Sequence, residues 1–188
     1  MKGGVRRLRL ANDICMKTLN VICNCAFATS TIALPFLLVN WARYMKAQPV
    51  NRLVAVRSGF PTKSVSFFLI STLTVGVVAS VMTTHARYDT LNFIESLSGN
   101  YTVYVNQQQV RDSDKMISAL KEIAPYWAHH SHPTKRISID IRSDERDLTL
   151  ELGRDSDNLQ EYWVFYSKHS VTSNNEIGRI TTSAFDEY

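Results

Sequence analysis

TLNVICNCAFATSTIALPFLLVNWA, from Thr18 to Ala42, runs for 25 residues without a charged side chain, and SVSFFLISTLTVGVVASVMTT, from Ser64 to Thr84, does so for 21. At about 1.5 Å per residue, a helix over either stretch is at least as long as the ~30 Å hydrocarbon core of a bilayer. Both are therefore expected to cross a membrane as helices. The first is too long for the apolar core of a signal peptide, and no small-residue cleavage pattern closes it before Trp41, Arg43 and Tyr44. Trp41 and Tyr44 read instead as interfacial anchors, with Arg43 and Lys46 snorkelling beside them.

Working outward from these runs, the chain divides into a basic tail (1–17), a first membrane helix (18–42), a basic loop (43–63), a second membrane helix (64–84), a helical stalk (85–99) and a soluble domain (100–188). Charge follows this division. Ten basic residues face one acid, Asp13, before Ala86, whereas eleven face sixteen acids from Ala86 onward. Basic side chains beside apolar helices suit lipid headgroups, so the bilayer is the expected partner of the first half and direct reading of nucleic acid is not expected. Two crossings place both termini on one side. The basic residues flanking the helices favour a cytoplasmic N-terminus and a cytoplasmic soluble domain by a narrow margin. The only cysteines are Cys15, Cys23 and Cys25. The soluble half therefore has no disulfide framework, in keeping with a reducing compartment, and a lone C-x-C cannot complete a zinc site.

The membrane helices are not uniformly apolar. Asn20, Asn24 and Thr31 fall on one narrow face of the first at 100° per residue, and Pro35 removes a backbone donor near its far end. Thr72, Gly76, Ser80 and Thr83 form a small-residue stripe on the second. Such stripes predict helix association, either within the hairpin or in a homo-oligomer whose polar faces line a pore.

The soluble domain reads as a small α+β unit. Tyr101 to Val105 alternates as a strand, Asn106-Gln107 is a turn, and Gln108 to Arg111 returns as its partner. A helix from Asp114 to Trp127 follows, with Met116, Ile117, Leu120, Ile123, Ala124 and Trp127 in one stripe. Arg136–Ile141, Asp147–Leu152, Glu161–Ser167 and Ile177–Thr182 alternate as strands joined by polar turns, so an antiparallel meander covered by one helix is expected. The overall fold class is a two-helix membrane hairpin plus an α+β domain with an antiparallel sheet and one covering helix.

Nothing in this pattern calls for catalysis, a metal or a cofactor. His129, His130 and His132 precede Pro133 in a loop, without the i, i+4 spacing of a zinc helix, and read as imidazoles near a helix C-terminus. Arg154, Asp155 and Asp157 lie in a turn, where an Arg–carboxylate pair is the plainer reading and ligand binding the sharper one. Tyr162, Trp163, Phe165 and Tyr166 alternate to opposite faces of a strand, so one pair enters the core and the other is either covered or displayed to a partner. Tyr162, Trp163, Arg154 and Asp155 are accordingly the candidate partner-docking residues.

Two N-terminal membrane helices ahead of a domain of about a hundred residues, with the segments HHSHPTKRISIDI (His129–Ile141) and RDSDNLQEYWVFY (Arg154–Tyr166), resemble the two-transmembrane effectors of bacterial anti-phage systems. The likeness is closest to those of retrons, and looser to those of cyclic-nucleotide-activated abortive-infection systems. It implies that Thr18–Ala42 and Ser64–Thr84 are a toxic element that damages the inner membrane, and that Tyr101–Tyr188 is a sensing or docking domain. The helix Asp114–Trp127 departs from the β-barrel of nucleotide sensors, which leaves docking to a reverse transcriptase with its RNA as the implied role. An acidic domain would meet the protein component of that complex. The rival reading is a non-catalytic anchored subunit of an envelope complex.

Overall fold

A computed structural model of the chain describes residues 2–46, 62–98, 100–126, 130–144, 146–167 and 175–188; for residues 2–17 and 20 it describes the backbone alone. The expected loop residues 47–61, together with Gly99, Trp127 and His129, lie outside the described residues, as does the side chain of Asn20. The chain forms two compact units, Met1–Val81 and Met82–Tyr188.

The first unit is helical. Helix α1 runs from Lys2 to Lys46, so the basic tail and the first apolar run form a single helix that continues through Pro35. Helix α2 runs from Thr62 to Ser96, and its part up to Val81 belongs to this unit. Burial along α1 follows a seven-residue repeat, with Leu19, Cys23, Ala26, Ser30, Ala33, Leu37, Asn40 and Tyr44 the less exposed positions; on α2 up to Val81 the stripe is broader, with Ser64, Val65, Phe68, Ser71, Thr74, Val75, Val78 and Ala79. Alternating steps of three and four mark one face of α1, the seam of the hairpin. At the end where the chain turns back, Asn40 Nδ2 donates to Ser64 Oγ at 2.9 Å.

Among the described residues, the second unit holds an open six-stranded antiparallel sheet with the order β2-β1-β3-β4-β5-β6. Its strands are β1 (Tyr101–Val105), β2 (Gln108–Gln109), β3 (Pro133–Ser143), β4 (Leu148–Asp155), β5 (Glu161–Phe165) and β6 (Glu176–Thr181). The meander read from the sequence is present, with β1 and β2 continuing it beyond β3. Asn106 and Gln107 both take positive φ, 48° and 69°, which is the geometry that matches a two-residue hairpin to the twist of its strands.

Strand alternation sends Val103, Val105, Ile137, Ile139, Ile141, Leu148, Leu150 and Leu152 to one face, all at most 3 % exposed. That face carries the core, and two helical segments cover it. Helix α3 (Ser113–Lys121) contributes Met116, Ile117 and Leu120; its N-cap Asp112 accepts from the Lys115 amide at 3.4 Å. The expected helix extended to Trp127, but α3 stops at Lys121. Ala124 instead forms an isolated bridge with Arg179, its N–H and C=O each bonded at 3.0 Å, and Pro125 disfavours helical geometry at the residue before it. The second cover is the end of α2. The expected stalk at 85–99 is part of the domain: Ala86, Thr90, Phe93 and Ile94 are buried, with Leu91 and Leu97 packed on the same cluster. The spacing of Leu91, Ile94 and Leu97 is thus a core stripe, and the sheet has two helical covers where one was expected.

The C-terminal residues close the far side of the core. Phe185 is 1 % exposed and meets the Tyr162 ring edge-on, 5.8 Å between centroids.

Candidate functional site

Two features stand apart from ordinary packing: the outer faces of the helix pair and a buried charged cluster on the face of the sheet opposite the core.

The stripes singled out in the sequence do not form the hairpin seam. Asn24 and Thr31 on α1, and Thr72, Gly76 and Ser80 on α2, are all exposed, while Thr83 is half-buried in the second unit. Seven residues is one repeat of the seam, so Asn24 and Thr31 occupy the same outward position of successive repeats. Thr31 Oγ1 donates to the Phe27 carbonyl at 2.9 Å, a return to its own helix. Among the described residues beyond its own stretch of helix, no atom lies within 4 Å of where a side chain at Gly76 would begin. Around these positions the outward surface is apolar, with Phe27, Ile32, Leu34, Phe36 and Leu38 exposed on α1 and Phe67, Leu69, Ile70, Leu73 and Val77 on α2. Val21–Lys46 and α2 are each long and apolar enough to cross a membrane, and only about a tenth of the most apolar stretch of each is buried. A core helix of a water-soluble protein would be mostly covered.

On the sheet, Asp155 and Trp163 project to the face opposite the core. Asp155 is fully buried and accepts four hydrogen bonds: Ser131 Oγ and Trp163 Nε1 at 2.6 Å each, and the amides of Asp157 and Asn158 at 2.8 and 3.0 Å. Burial pushes the carboxyl up, but the bonds from Ser131, Trp163 and the two amides outweigh it and hold it well below the usual carboxylate range. Beside it Arg179, 7 % exposed, lies over the Trp163 ring at 3.9 Å and over Tyr126 at 5.1 Å. It pairs with Glu161 at 2.8 Å and Glu176 at 3.0 Å, and lies 3.9 Å from Asp155. Trp163 stacks on Phe165, whose other neighbour is the Arg136 guanidinium at 4.5 Å. Gly153 makes this packing possible, since a Cβ there would lie 2.6 Å from Pro133 Cβ.

Arg154 and Tyr162, the other two docking candidates, point the opposite way. Arg154 donates to the Tyr162 hydroxyl at 2.6 Å, and both bind Asp186, Tyr162 at 2.9 Å. Alternation along β4 and β5 therefore separates the four candidates into two pairs on opposite faces. Tyr162, Trp163, Phe165 and Tyr166 are all buried, at 9 % exposure or less. Both aromatic faces of β5 are therefore covered.

Of the histidines, His130 is exposed, and His132 bonds through its backbone to Ser156. Among the described residues no group of three His, Cys, Asp or Glu side chains is placed to hold a metal. Cys23 is buried and Cys25 exposed, on different sides of α1. Sequence reasoning missed Ser131, Glu176 and Arg179. The usable signal was Glu176 and Arg179 inside the otherwise apolar strand EIGRIT, where a buried cation requires partners.

The chain matches no family model, and no curated protein or solved structure is similar to it at a significant level.

Proposed function

We propose that this chain is a membrane-permeabilising effector: Thr18–Ala42 and Ser64–Thr84 cross a bacterial inner membrane as a hairpin, and the cytoplasmic sheet domain receives a partner that holds or releases them. The observation that carries this reading is the outward placement of Asn24, Thr31, Thr72, Gly76 and Ser80. A plain anchor gains nothing from a polar, small-residue face turned away from its own seam, whereas hairpins that associate and open a polar path between them require one. The partner is a second copy of the chain within the bilayer and a protein complex at the sheet domain. Assignment to an abortive-infection system, with a reverse transcriptase and its RNA as that complex, rests on the resemblance in layout.

Induced expression of the chain alone in a bacterial host is expected to collapse the membrane potential, read with a potential-sensitive dye. Asn24→Leu or Gly76→Leu should restore it while the protein remains in the membrane fraction. Normal growth with an intact potential under full induction and full activation ends the proposal. An effect of those substitutions on complex assembly without toxicity in any setting favours the anchored-subunit reading instead.

A further inference from the structure

Arg87 is the first charged residue after the uncharged run that ends at Thr84, about 4.5 Å further along α2. Its Nε donates to the Ile177 carbonyl at 2.6 Å, which fixes the guanidinium against the start of β6. Among the described residues its two Nη groups make no hydrogen bond or ion pair. Asp89, two residues on, and Glu176, next to Ile177, are engaged elsewhere: Glu176 by Arg179 at 3.0 Å, and Asp89 by Arg146 at 3.1 Å. Its electrostatic neighbours are the phenols of Tyr126 and Tyr88, and burial pulls its pKa down. A half-buried guanidinium usually faces a carboxylate, because desolvating an unpaired cation is costly. Tyr88, next in sequence, is 62 % exposed, as an aromatic at headgroup depth would be.

We infer that the Arg87 guanidinium, flanked by Tyr88, binds the phosphate of an anionic phospholipid at the end of the second membrane segment. The planar fork of donors matches a phosphate, and the Ile177 carbonyl leaves the Nη pair for it. An anionic headgroup is favoured over a zwitterionic one because no ammonium group offsets its charge. The inference rests on the reading that Ser64–Thr84 spans the bilayer.

The test is native mass spectrometry of the full chain in detergent, with phosphatidylglycerol or phosphatidylcholine added. The wild type should retain phosphatidylglycerol about tenfold better, a difference expected of one charge-assisted contact, and Arg87→Gln should abolish that difference. Equal retention of the two lipids by the wild type overturns the site. So does an undiminished preference in a folded Arg87→Gln protein, or displacement of the lipid by millimolar inorganic phosphate. Should Arg87→Gln fail to fold, Arg87→Lys takes its place: it keeps the charge but not the fork, and an undiminished preference in it overturns the site. Alkaline carbonate extraction separates the two readings: release from the membrane removes the spanning segment, whereas retention without lipid preference removes only the headgroup site.

Discussion

The helix pair and the sheet domain treat the same chemistry in opposite ways. Among the described residues, sixteen of the nineteen exposed large hydrophobic side chains lie between Val21 and Val81, while the domain from Met82 onward exposes Tyr88, Tyr126 and Leu159. In the domain the polar groups go inside: Asp155, Glu176 and Arg179 are buried and bonded. The pair keeps small residues such as Cys23, Ala33 and Ser71 within and turns its bulk outward. Burying apolar area away from water contributes roughly 25 cal/mol per Å²; the domain takes that gain in its Ile, Leu and Val core, and the pair forgoes most of it. The bilayer proposed above for the pair is the setting that would offset that loss.

The largest expected break in this contrast is at Asp155. Replacing it with Ala removes the acceptor of four bonds and leaves Arg179 with fewer counter-charges, at a cost of about 3–5 kcal/mol in urea unfolding of the full chain followed by Trp fluorescence. Its pH dependence follows from the lowered carboxyl. Protonation is easier in the unfolded chain, so the stabilisation is complete above the ordinary carboxylate pKa of about 4 and is lost as pH falls below it. Asp155→Asn should therefore flatten the acid limb of stability against pH; an unchanged limb would assign that limb to other carboxylates.

Next in size is Gly178→Ala. The new Cβ would lie 2.5 Å from the Ala124 carbonyl and 2.8 Å from Ile123 Cγ2, breaking the bridge that caps the β6 edge. A loss of about 1–3 kcal/mol is expected from such overpacking, read as a lower thermal midpoint. A smaller effect of opposite sign belongs to Gln107→Gly. Gln107 holds a φ of 69°, so removing its Cβ should stabilise the hairpin by about 0.5–1 kcal/mol. Smallest of all, Gly76→Leu should move the unfolding of the sheet domain by no more than about 0.5 kcal/mol, because among the described residues nothing beyond its own stretch of helix lies within 4 Å of that position. A large shift there would show that the two regions do not behave independently.

The membrane-length helices and the meander were legible because each depends on a local periodicity: unbroken apolar runs in one case, alternation in Ile137-Ser138-Ile139-Asp140-Ile141 in the other. The end of α3 was not. The apolar stripe continues past Lys121, and only the bridge from Ala124 to Arg179, distant in sequence, draws the chain into extended form. The helical continuation through 85–96 was legible, but its burial in the domain was not, for a similar reason. Its stripe of Leu91, Ile94 and Leu97 is short, and its burial depends on strands that come later in the chain.

By itself, then, the sequence determined that two uncharged stretches of bilayer length precede a basic-to-acidic switch and a six-strand pattern, because length, charge and period are properties of a segment alone. Tertiary structure decided which faces those segments use. It turned the Asn24 and Gly76 stripes outward, split Arg154 and Tyr162 from Asp155 and Trp163 across the sheet, and set Arg179 among three carboxylates. Those outcomes depend on register and on partners far apart in the chain, which no local pattern encodes.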